Sequence, residues 1–118
     1  MTFDNLIALH EMLWPDTNLN QQIKKWEEEY KEFKNTVGGT EDEMFEIADM
    51  VIVSAGIARF DYCLGIDSLH DTISTLDTTE WSVRGLWQAV ETKMRKNMKR
   101  DWVKKADVGY HHENGIED

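Results

Sequence analysis

The chain has 118 residues, enough for one domain with a modest core and short for two. Hydrophobic residues make up 41% of it, including five Trp, three Tyr and four Phe, while a net charge of −10 argues against general nucleic-acid binding. A single cysteine, Cys63, has no intrachain disulfide partner, and no stretch approaches the ~20 uninterrupted apolar residues of a membrane span.

The segment MTFDNLIALHEMLW carries neither a basic leader nor a long apolar run. Together with the lone cysteine this sets the expectation of a soluble, cytoplasmic protein with no membrane partner. One domain over residues 1–118 is expected, and Pro15 as the sole proline, with little strand-like alternation, makes it all-α.

Periodicity predicts a first helix over about Phe3 to Leu13, its apolar side formed by Phe3, Leu6, Ile7, Leu9 and Leu13, and broken at Trp14-Pro15. In the second, from about Leu19 to Val37, Leu19, Ile23, Trp26, Tyr30, Phe33 and Val37 recur at steps of three and four. Gly38-Gly39 suits the backbone just past a helix end. Thr40 to Glu43 then has the capping-box pattern, opening a third helix that is expected to run to about Leu64 and stop at Gly65. A short helix is expected within 66–78, capped by Asp67 or Ser68. The last long helix is expected to start near Thr79 and to continue through Lys105, with Trp87, Val90, Met94 and Met98 on one side. The tail from Asp107 reads as irregular, with His111 and His112 in it, and His10 and His70 read as surface or partly buried.

Charge is unevenly spread. Residues 27–49 hold nine acids, and residues 93–105 hold seven of the thirteen Lys and Arg. Glu41, Asp42 and Glu43 complement the dipole of the third helix's first turn. Glu46 and Asp49 lie deeper, in a helix apolar nearly all round, where a carboxylate is costly unless compensated. Three residues apart, they project from one face about 60° from each other. Glu29 and Glu32 repeat this spacing in the preceding helix. Glu32 and Glu46 are each seven residues from Gly39, and Glu29 and Asp49 are each ten from it. An antiparallel helix hairpin would therefore set Glu32 opposite Glu46 and Glu29 opposite Asp49, roughly 10 to 15 Å from the turn. Four carboxylates at one spot require a counter-charge, and a hard divalent cation such as Mg²⁺, with Mn²⁺ as the alternative, suits oxygen ligands.

Glu28-Glu29-x-x-Glu32 followed by Glu46-x-x-Asp49 resembles the EExxE…ExxD signature of the all-α nucleoside triphosphate pyrophosphohydrolases, the MazG-like superfamily. Lys93-Met94-x-x-Asn97-x-x-Arg100 is similar to the KMxxNxxR stretch of its dCTP-pyrophosphatase-like members. The matches span about residues 19–102. The resemblance implies a helical bundle built around an antiparallel hairpin and completed by oligomerisation into a homodimer or homotetramer. It implies Mg²⁺-dependent cleavage of a nucleoside triphosphate between the α- and β-phosphates, releasing the monophosphate and pyrophosphate. By the same resemblance Glu29, Glu32, Glu46 and Asp49 hold the metal, Glu28 is a candidate general base, and Lys93, Asn97 and Arg100 contact phosphate.

The spacing of the last three agrees, since steps of four and three put them on one helix face. A solvated basic face near a helix C-terminus would look the same. Residues 66–80 lengthen the stretch between Asp49 and Lys93 relative to compact family members. Trp14, Trp26, Trp87 and Trp102 could stack on a base, although a Trp in a small helical domain is more often core. A di-metal oxidase bundle is disfavoured because no His stands three residues after a Glu. The remaining alternative is a catalytically inactive nucleotide-binding or regulatory protein of the same fold.

Overall fold

In the computed structural model residues 1–100 are described in full, together with the backbone of 102–105 and 109–112. Helix α1 spans Phe3–Leu13 and opens on a full capping box between Thr2 and Asn5. Helix α2 spans Leu19–Asn35, capped by the Asn18 side chain on Gln21 N–H. After Gly39, whose φ of 81° suits a residue without Cβ, Thr40 caps α3, Glu41–Ala58. Helix α4 spans Tyr62–Ser74 and runs into a 3-10 turn, Thr75–Thr78; Ser82 then caps α5, Val83–Lys99. The body is all-α, and no helix among the described residues is long and apolar enough to cross a membrane.

Helix α3 is the axis of the core. It packs against α1, α2, α4 and α5, and thirteen of its residues are buried, Ile47, Ala48, Met50, Val51 and Ala55 completely. Its all-round apolar character is thus satisfied inside a single chain. Leu6 from α1 and Leu86, Val90 and Met94 from α5 close the same core.

Several boundaries differ from the sequence expectation. The third helix does not continue to Leu64: the chain turns at Arg59–Asp61, and Asp61 caps α4 by accepting from Leu64 N–H at 3.0 Å. Gly65 stops nothing. It is buried inside α4, where a Cβ would run into Ala58 of α3, so it is the point at which the two helices touch. The helix expected within 66–78 is therefore the end of α4 and the 3-10 turn, and neither Asp67 nor Ser68 caps it. Helix α5 begins four residues later than expected and ends at Lys99. Beyond it Trp102–Lys105 (β1) pairs antiparallel with Gly109–His112 (β2), where a continued helix and an irregular tail were expected.

The buried stripes are also rotated from the apolar pattern. On α2 the buried positions are Gln22 and Glu29, flanked by half-buried Trp26 and Phe33, while Val37 is exposed. On α5 the buried line is Leu86, Ala89, Val90, Lys93, Met94 and Asn97, and Met98 lies outside it. Polar residues occupy core-facing positions in both helices because each finds a partner there: Glu29 and Lys93 meet the α3 carboxylates Glu46 and Asp49, and Gln22 meets His10.

Candidate metal centre

Glu43 shows how the loops that flank this region are pinned. Thr40 Oγ1 caps Glu43 N–H, but the Glu43 carboxylate does not return to Thr40; it accepts from Gly39 N–H at 3.1 Å and from Trp81 Nε1 at 3.0 Å. One buried carboxylate thus ties the start of α3 to the segment leading into α5.

One to two turns further along α3, Glu46 and Asp49 meet Glu29 of α2. One carboxylate oxygen from each lies within 4.8 Å of the other two. Glu29 is 6% exposed, and Oε2 of Glu29 and Oε2 of Glu46 are buried with no hydrogen-bond partner among the described residues. Oxygens ligated at about 2.1 to 2.5 Å around a divalent cation span up to about 4 to 5 Å, so the three side chains fit one. The unsatisfied buried oxygens are what such an ion would complete.

The electrostatics agree. Burial pushes the Glu29 carboxyl from 4.5 up to about 9, with the Asp49 charge adding to it. Burial likewise raises Glu46 to about 7, a hydrogen bond from Glu29 working in the other direction. Asp49 is raised by burial and held back by the Lys93 ammonium. With no cation among them, the three share a proton that resides on Glu29, the more buried of the first pair.

Two ammonium groups approach the cluster. Lys93 Nζ lies 3.2 Å from Asp49 Oδ2, its side chain 5% exposed, and Lys25 Nζ lies 3.5 Å from Glu29 Oε1, its side chain 41% exposed. Lys93 and Lys96 also stand over the Phe45 ring, at 5.7 and 5.0 Å from its centroid. Asn97 is buried beside them and accepts from Arg100 at 3.2 Å. The Lys93 to Arg100 face is therefore no fully solvated basic surface, because two of its three members sit in the core.

The structure brings together Glu29, Glu46 and Asp49. Glu32 is exposed at the edge, near enough for its carboxyl to act on that of Glu46, and Glu28, one position before Glu29 on α2, faces solvent. Sequence reasoning missed Lys25, whose signal was its place four residues before Glu29 on the same helix. Among the aromatics, Trp14 is core, Trp87 packs against the core, and the Trp102 side chain lies outside the described residues. Trp26 and Tyr30 stack at 5.5 Å and, with Phe33, line a groove against Asp71, Ser74, Thr75 and Thr78. His10 is buried, and His70 is exposed. Comparison with protein-family models, with curated proteins and with solved structures finds no match to this chain.

Proposed function

We propose that the chain is a Mg²⁺-dependent nucleoside triphosphate pyrophosphohydrolase that converts a triphosphate to the monophosphate and pyrophosphate. The observation that carries this reading is the convergence of Glu29, Glu46 and Asp49, two of them with a buried oxygen lacking a partner. The EExxE…ExxD and KMxxNxxR resemblance supplies the reaction class. An antiparallel α2–α3 hairpin and assembly into a homodimer or homotetramer belong to the same proposal.

In this reading Glu29, Glu46 and Asp49 would hold Mg²⁺ or Mn²⁺, with Glu32 at the rim as the fourth carboxylate. When bound, the ion neutralises phosphate charge and makes water a better nucleophile at phosphorus. Glu28, exposed beside Glu29, is the candidate base for the attacking water. Lys93 holds the Asp49 carboxylate in place through its ion pair, and Asn97 orients the Arg100 guanidinium toward phosphate oxygens. The groove lined by Trp26, Tyr30 and Phe33 offers an aromatic surface for the base.

The Lys93–Asp49 ion pair also favours a second reading, a nucleotide-binding or regulatory protein without turnover, because an ammonium already neutralises one ligand. Incubation with each common nucleoside triphosphate and Mg²⁺, resolving monophosphate plus pyrophosphate from diphosphate plus phosphate, decides between them. The first product pair is expected. Absence of any product across the nucleotides, with binding retained, selects the second reading.

A further inference from the structure

The two lysines at the carboxylate cluster are not equivalent. Lys93 projects from the buried face of α5, and its 5% exposed side chain pairs with Asp49 at 3.2 Å. Lys25 stands one turn before Glu29 on α2 and pairs with it at 3.5 Å, but 41% of its side chain is open to solvent. A buried ammonium that leaves its carboxylate strands both charges in the core, whereas a half-exposed one can swing into water at little cost. Lys25 also acts on Asp49 across the cluster, lowering the cost of that charge as it does for Glu29. It therefore occupies, with its positive charge, the electrostatic position that a divalent cation would take.

We infer that Lys25 is the displaceable counter-ion of the centre: a divalent cation takes Glu29 from it, and the released ammonium, at the open side of the cluster, holds a phosphate oxygen of the nucleotide that arrives with the metal. The inference rests on the cation-centre reading above and adds to it a division of labour. Lys93 is a fixed positioning residue for Asp49, and Lys25 is the mobile phosphate contact. The exchange replaces the Lys25–Glu29 contact by carboxylate–metal and ammonium–phosphate contacts, and the proton held on Glu29 passes to water as the cation enters. The arrangement keeps the acids compensated before the metal arrives and leaves no charge idle afterwards.

Two titrations with opposite signs test this. Free Mn²⁺ is followed by electron paramagnetic resonance as it is added to the whole protein without nucleotide, comparing the wild type with Lys25→Met and Lys25→Arg. Removing a competing unit charge at this range should tighten Mn²⁺ binding about three- to tenfold in Lys25→Met, while Lys25→Arg stays near the wild type. Pyrophosphate binding in the presence of saturating Mn²⁺, read by calorimetry, should weaken about tenfold in Lys25→Met and recover in Lys25→Arg. Unchanged or weakened Mn²⁺ binding in Lys25→Met would overturn the counter-ion role. Tighter Mn²⁺ with unchanged pyrophosphate affinity would overturn the phosphate role. Failure of the wild type to bind Mn²⁺ at all would remove the cation centre itself, a result visible before any variant is compared.

Discussion

His10 is 3% exposed and held from both sides: Arg59 lies 2.9 Å from Nδ1 and the Gln22 carboxamide oxygen 3.0 Å from Nε2. A guanidinium can only donate, so Nδ1 accepts and Nε2 carries the proton. Burial, and then the Arg59 charge, lower its pKa from 6.5 to about 3. The expected outcome is an imidazole that stays neutral at pH 5 in the Nε2–H form, visible in long-range nitrogen–proton NMR spectra. A doubly protonated ring at that pH would show that the Arg59 contact is not made. The placement was legible after the fact, since His10 falls four residues after Leu6 and three before Leu13 on the apolar side of α1. What the sequence alone did not reveal was the partner set, because Gln22 and Arg59 come from other helices. Glu29, Glu46 and Asp49 were the opposite case. Their spacing about Gly39 was visible in one dimension, and burial of two flanking helices did the rest.

Helix packing explains both what was readable and what was not. The Thr40 cap and the break at Pro15 are local chemistry, and α1 and α2 fall where the break and the periodicity put them, to within two residues. The α3–α4 corner was missed because Phe60, Tyr62 and Leu64 prolong the apolar pattern although all three are exposed. Asp61 was the signal that outweighed them. Gly65 was misread as a stop because a glycine at a helix end and a glycine at a helix contact look alike in sequence. Substituting Gly65→Ala separates the roles. The added methyl meets the Ala58 backbone, so α3 and α4 must move apart, and a loss of about 1 to 3 kcal/mol in stability is expected by chemical denaturation. A neutral or stabilising effect, as at an exposed helix position, would contradict the close contact.

The whole chain balances two opposed proton inventories. Glu29 and Glu46 have folded-state pKa values raised from 4.5 to about 9 and about 7, so the stability tied to their protonated forms is complete below about 4.5 and is lost as pH rises toward 9. His10 runs the other way, its contribution present above 6.5 and lost as pH falls toward 3. In a chelator, thermal unfolding should therefore show maximal stability at about pH 4.5, where the two carboxyls and the single imidazole balance, with a midpoint on the order of 5 to 10 °C lower at pH 8.5. Glu29→Gln should flatten the alkaline side, because the amide needs no proton to be neutral. Saturating Mg²⁺ should restore the wild type at pH 8.5, since an ion bound only to the folded state stabilises it. A midpoint indifferent to pH between 5.5 and 8.5 would mean that the three acids do not share a buried site.

Mn²⁺ binding to the wild type, Glu46→Gln and Asp49→Asn at pH 8, counted by electron paramagnetic resonance, tests the cation centre most directly. The account predicts saturable binding by the wild type and a loss of about tenfold or more in each variant, with both variants still helical by circular dichroism. Equal binding by all three proteins, or none by the wild type, would contradict it.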